Sequence, residues 1–200
     1  MKFNQIKMPL SFIMGITVII FYCTFTLISI LLFPGPYNPI DNYLSDLGNS
    51  TYNPNGAIIY NLGCMLTGTA LFLFFIGLSK FSLDELPKKI LLHIIQIIGC
   101  FAAFADFMIG IFSEDYMTAH VFWSVLYFFL MFLTLIISGI FFVYHPDFDN
   151  KIAIYGFIVV VVYLLFLLTF SPLFEWIAVF TSLAYIGLIA YNMYNISNKK

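Results

Sequence analysis

The chain has 200 residues, 62% of them hydrophobic and 9% charged, with a formal net charge of -2 and no arginine. A soluble domain carries about 25% charged residues, so too little charge remains to cover a globular surface, and lipid must cover much of this one. No basic run marks a nucleic-acid interface, and Cys23, Cys64 and Cys100 lie inside apolar stretches without a C-x-x-C pair, as small packing residues do.

The first apolar stretch, 10–33, is too long for the core of a signal peptide and is followed by no A-x-A-like site, so it is expected to remain as a first span. Five more follow at 57–79, 90–112, 120–143, 152–171 and 174–194. Each is long enough to cross about 30 Å of hydrocarbon as a helix, and far too continuous for barrel strands. The predicted fold is all-α: a polytopic membrane protein, residues 1–200 forming one domain of six transmembrane helices in one bundle. Short connections make successive helices antiparallel.

Lys2, Lys7, Lys80, Lys88, Lys89, Lys151, Lys199 and Lys200 all fall on one side of such a bundle. The bias of lysine toward the cytoplasm then puts both termini inside, with the plasma membrane as the expected location. The inner loop Leu83–Lys89, LDELPKK, reads as solvated, its lysines near anionic headgroups.

The long outer segment, Pro34–Gly56, is rich in Pro, Gly and Asn. A loop of this length is often functional, though a structural cap fits equally. Asn49-Ser50-Thr51 forms a glycosylation sequon in it, whereas Asn195-Ile196-Ser197 lies on the inner tail. Ser45 beside Asp46 has the residue types of a nucleophile and its orienter, but Asp46-Leu47-Gly48 reads more readily as a turn, with Gly48 at positive φ. In the second span, Gly63/Thr67 and Cys64/Gly68 are small-xxx-small pairs, the mark of close helix packing.

Polar groups converge at the outer level. Asp106 lies about two turns from the outer end of the third span, flanked by Ala102, Ala103, Ala105 and Gly110. An intramembrane carboxylate is costly and needs a partner, a watery cavity or a proton. It reads as part of an outer-facing site, or as a packing partner hydrogen-bonded to Asn61 or His120. His120 heads the fourth span and suits general acid–base work, or a helix-end bond; Trp123 shares its face. Glu175 and Trp176 head the sixth span. Asp46, Asp106 and His120 are thus the candidate catalytic residues, and Ser45, Asn61, Trp123, Glu175 and Trp176 the candidate substrate contacts. His93 and His145 lie too far inward to complete a zinc site. An oxygen cluster of Asp41, Asp46, Glu114 and Asp115 reads as solvated loop carboxylates, so no metal and no cofactor is expected.

The runs NYLSDLG (Asn42–Gly48), NLGCMLTG (Asn61–Gly68) and GIFSEDYMTAH (Gly110–His120) form an ordered set. Together they resemble the domain-of-unknown-function 998 family of small membrane proteins. More distantly, they are similar to the DRAM-like (damage-regulated autophagy modulator) family. The resemblance implies a six-span bundle with a polar outer face, and points to Ser45, Asp46, Gly48, Gly110, Phe112 and His120. Members of the second family are linked to lipid asymmetry, lipid-anchor remodelling and autophagy.

The reading that follows is an outer-leaflet lipid-handling protein with an acidic pocket at headgroup depth, one that binds, remodels or hydrolyses lipids. No catalytic motif decides whether it is an enzyme. A non-catalytic scaffold subunit with a membrane-protein partner is the first alternative. A small transporter or proton-coupled channel is the second, although no paired broken helices are seen. Membrane lipids are the expected partners, and nucleic acid is not.

Overall fold

The computed structural model describes residues 8–199; Lys2, Lys7 and Lys200 lie outside them. Six long helices account for most of these residues: α1 (Leu10–Leu31), α2 (Ala57–Gly77), α3 (Leu86–Ile111), α4 (Met117–Tyr144), α5 (Asn150–Thr169) and α6 (Pro172–Lys199). All six are long and apolar enough to cross a membrane, and no strand occurs among the described residues.

The helices form a ring. Each packs on its neighbours in the chain, and α1 packs on α6 to close the circuit. What faces inward explains why. In α1 the buried residues are Ser11, Gly15, Val18, Tyr22, Thr26 and Ser29, a stripe of small and polar side chains at helical spacing. Ile13, Ile16, Ile20, Leu27 and Leu31 point outward. Lipid tails are as apolar as leucine, so large aliphatic residues gain little by turning inward, while small and hydroxyl residues let backbones meet and bond.

The α2–α3 contact shows this directly. A Cβ on Gly68 would lie 2.7 Å from the Phe107 backbone nitrogen and 2.8 Å from the Ala103 oxygen. Farther along, Gln96 Nε2 donates to the carbonyls of Phe75 and Ile76, each at 3.1 Å.

Helix ends depart from the apolar boundaries where polar residues continue the helix. α3 starts at Leu86 because Pro87, in its first turn, lacks only an N–H that has no helical partner there. Lys88 and Lys89 therefore sit on the helix rather than in the expected solvated loop, and Lys88 pairs with Glu85 at 2.9 Å. α6 runs on to Lys199, past the last apolar residue. At the start of α5, the Asp149 side chain accepts the Lys151 N–H.

Helix order puts Lys80, Lys88, Lys89, Lys151 and Lys199 at one end of the bundle, and the long 32–56 segment at the other. That segment is a fitted cap. Leu44 and Leu47 are almost wholly buried under it. Asn53 Nδ2 donates to Ser29 Oγ (2.8 Å) and to the Leu47 carbonyl (3.0 Å), and Ser29 Oγ donates to the Gly56 carbonyl (3.1 Å). Buried backbone groups without a ladder are thus satisfied by side chains.

Residues Leu44–Gly48 form a 3-10 turn rather than the simple turn the sequence indicated. Gly48 is not at positive φ; among the described residues Gly35 is the one glycine that is. Gly48 is needed for space, since a Cβ there would lie 2.3 Å from Asn61 Oδ1. The sequon residue Asn49 is buried, its Oδ1 accepting the N–H groups of Thr51 and Tyr52.

Candidate functional site

At the cap end, the ring encloses a chamber of about 40 Å³. α3 supplies Asp106, α4 supplies His120 and Ser124, α6 supplies Glu175, and Ser45 comes from the underside of the cap. Tyr22 and Tyr60, whose hydroxyls lie 3.4 Å apart, together with Tyr127 and Phe128, make an aromatic wall.

Asp106 is 6% exposed, and no donor among the described residues hydrogen-bonds its carboxylate. The two partners expected from sequence are engaged elsewhere. Asn61 Nδ2 donates to the Gly48 carbonyl at 3.0 Å. His120 Nδ1 lies 2.9 Å from the Phe112 carbonyl. A carbonyl only accepts, so Nδ1 bears the proton, and the neutral ring keeps its lone pair on Nε2. Glu175 is buried too; its Oε2 accepts the Leu44 N–H at 2.8 Å and ties the cap to α6.

A second space of about 290 Å³ adjoins the chamber and shares Ser45, His120, Ser124, Phe128 and Glu175 with it. Its remaining walls are Val121 and Val125 of α4, Phe166 and Leu167 of α5 and Phe170 just beyond, together with Tyr43, Glu114 and Met117. Val121, Val125 and Phe170 are exposed on the outer surface of the helices. The groove thus leads from the flank of the bundle, between α4 and α5, to the chamber wall.

The sequence candidates divide accordingly. Ser45, Asp106, His120 and Glu175 share the chamber. Asp46 does not line it. Its carboxylate accepts the Tyr43 N–H (3.1 Å) and Asn42 Nδ2 (3.2 Å) within the cap, and burial raises its pKa above the usual carboxylate value against the pull of those bonds. Its position is that of a turn-forming residue rather than an orienter of His120. Asn61 and Trp176 also serve the cap, Trp176 Nε1 donating to the Asn42 carbonyl at 3.0 Å. Trp123 packs edge-on against Phe104 and Phe122, away from the chamber.

Sequence reasoning missed Tyr22, Tyr60, Ser124 and Tyr127. Their hydroxyls within apolar spans were a signal, but only the ring closure puts them on one wall.

No serine of the chamber is hydrogen-bonded to His120, so the walls offer acid–base and acceptor groups without an assembled nucleophile. The loop carboxylates bind locally: Asp41 to Asn38, Asp115 to Ser50. Among the described residues, no group of three His, Cys, Asp or Glu side chains is arranged to hold a metal ion.

No curated protein and no solved structure matches the chain. A family model, described as protein of unknown function (DUF998), matches residues 16–192. With that match spanning most of the six-helix ring, the chain belongs to the DUF998 family.

Proposed function

We propose that this protein handles membrane lipids, taking a lipid headgroup into the chamber from the leaflet at the cap end. One observation carries the reading: a buried, unpartnered carboxylate, Asp106, faces a chamber whose wall is shared with a groove opening on the flank of the bundle. An intramembrane ionisable group of this kind is a functional feature more often than a structural one. The cap, tied down by Glu175, Trp176 and Asn61, closes the axial approach. The apolar groove suits acyl chains, and the polar chamber suits a headgroup.

The lysines support placing the cap end outside. Lys80, Lys88, Lys89, Lys151 and Lys199 gather at the opposite end, where the inward bias of basic residues puts the cytoplasm. The groove then faces the outer leaflet, with a cell membrane as the setting.

Native mass spectrometry of the protein extracted from membranes tests it. Wild type is expected to carry co-purified lipid. Val125→Trp, which fills the groove, and Asp106→Asn are expected to carry less. Unchanged lipid in both variants would reject the site and leave a non-catalytic scaffold as the better account.

A further inference from the structure

We infer that the chamber selects a lipid whose headgroup ends in a primary ammonium; this rests on the lipid-site reading above. The chemistry of the wall leads there. The ionisable groups of the chamber present acceptors, namely the Asp106 carboxylate with no donor, the second oxygen of Glu175 and the His120 Nε2 lone pair, while its hydroxyls, such as Ser45, Thr67 and Ser124, serve as donor or acceptor. No lysine is in the wall. An anionic group placed there would meet two carboxyl groups and no cation, and a neutral headgroup would bring Asp106 no countercharge, which it needs at this depth unless it holds a proton. A primary ammonium brings three N–H donors and a positive charge.

Size narrows the class further. One water needs roughly 10–15 Å³ of such space, so a chamber of about 40 Å³ takes an ammonium with its adjoining methylene. Three methyl groups around the nitrogen would overfill it. They would also remove every N–H, so that Asp106 would gain a countercharge but no hydrogen bond. The serine hydroxyls of Ser45 and Ser124 stand in the walls of both chamber and groove. That is where a phosphate two carbons from the nitrogen would lie, with its acyl chains in the groove beyond. A free amine would share the ammonium chemistry, but the fitted cap and lateral groove favour one attached to a lipid.

The test is a headgroup series with constant acyl chains. Purified full-length protein in a neutral detergent is incubated with dioleoyl phosphatidylethanolamine, its N-methyl and N,N-dimethyl derivatives, and dioleoyl phosphatidylcholine. Bound fractions are read by native mass spectrometry. On the wild-type chain, retention is expected to fall stepwise, by about tenfold or more from the primary to the quaternary nitrogen. Asp106→Asn is expected to flatten the series, and Val125→Trp to lower every member of it. Equal retention across the series, with Val125→Trp still lowering all, overturns the ammonium assignment and leaves the lipid site standing. Retention indifferent to both variants removes the site itself. Displacement of phosphatidylethanolamine by soluble ethanolamine at equal concentration would make the ligand a free amine and overturn the lipid class.

Discussion

Replacing Asp106 with leucine separates a functional carboxylate from a structural one, because the two roles predict opposite signs. A carboxylate at the centre of a membrane helix costs about 2.5–3.5 kcal/mol on insertion scales, and less toward the interface. Asp106 lies five residues before the end of α3 at Ile111, or about 7.5 Å along the axis, so roughly half that penalty applies. No hydrogen bond offsets it. Leucine repeats the branching of aspartate at Cγ, and the chamber of about 40 Å³ beside it accepts the slightly larger side chain. Overpacking then returns under about 1 kcal/mol. The net expectation is a gain of about 1 kcal/mol in stability together with loss of lipid retention. Equilibrium unfolding in mixed detergent micelles, followed by tryptophan fluorescence, measures the first. A loss of 1 kcal/mol or more would mean that Asp106 holds the ring together, and the reasoning that makes it a ligand group would be refuted.

Three further outcomes are expected. Gly68→Ala should destabilise by up to about 2 kcal/mol in the same unfolding assay, since its new methyl meets the rigid backbone of α3 at 2.7 Å, and overpacking costs about 1–3 kcal/mol against about 1 kcal/mol of helix propensity gained. Gly187→Ala meets only the flexible tip of Ile19 and should be neutral or stabilising; equal losses in the two would contradict the close α2–α3 contact. Glu175→Leu strands the buried Leu44 N–H, at a cost of about 1–3 kcal/mol, and should speed hydrogen exchange across residues 43–48, while Glu175→Gln, which keeps an acceptor, should change it much less. Burial raises the Asp46 pKa, so its contribution to stability is fully present below the ordinary carboxylate value and is lost as pH rises through the raised one. Wild type should therefore gain in Tm relative to Asp46→Asn on moving from pH 7 to pH 4, and a constant gap would mean that Asp46 titrates normally.

The number of spans, their helical nature and the gathering of lysines follow from hydropathy and charge along the chain. A membrane leaves the backbone few options, and each span is long enough to be read alone. Asp106 was visible for the same reason: one carboxylate stands out in apolar surroundings. What surrounds it was not legible. Asn61, Trp176 and Asp46 have the residue types and the depth of site residues, yet they hold the cap, because the path of residues 32–56 over the ring decides where their bonds go. Tyr22, Tyr60, Ser124 and Tyr127 look like ordinary span residues until α1 meets α6 and turns their faces toward one axis. Depth in the membrane is a property of local sequence. Rotation about each helix axis is set by packing against two neighbours, and only the closed ring fixes all six at once.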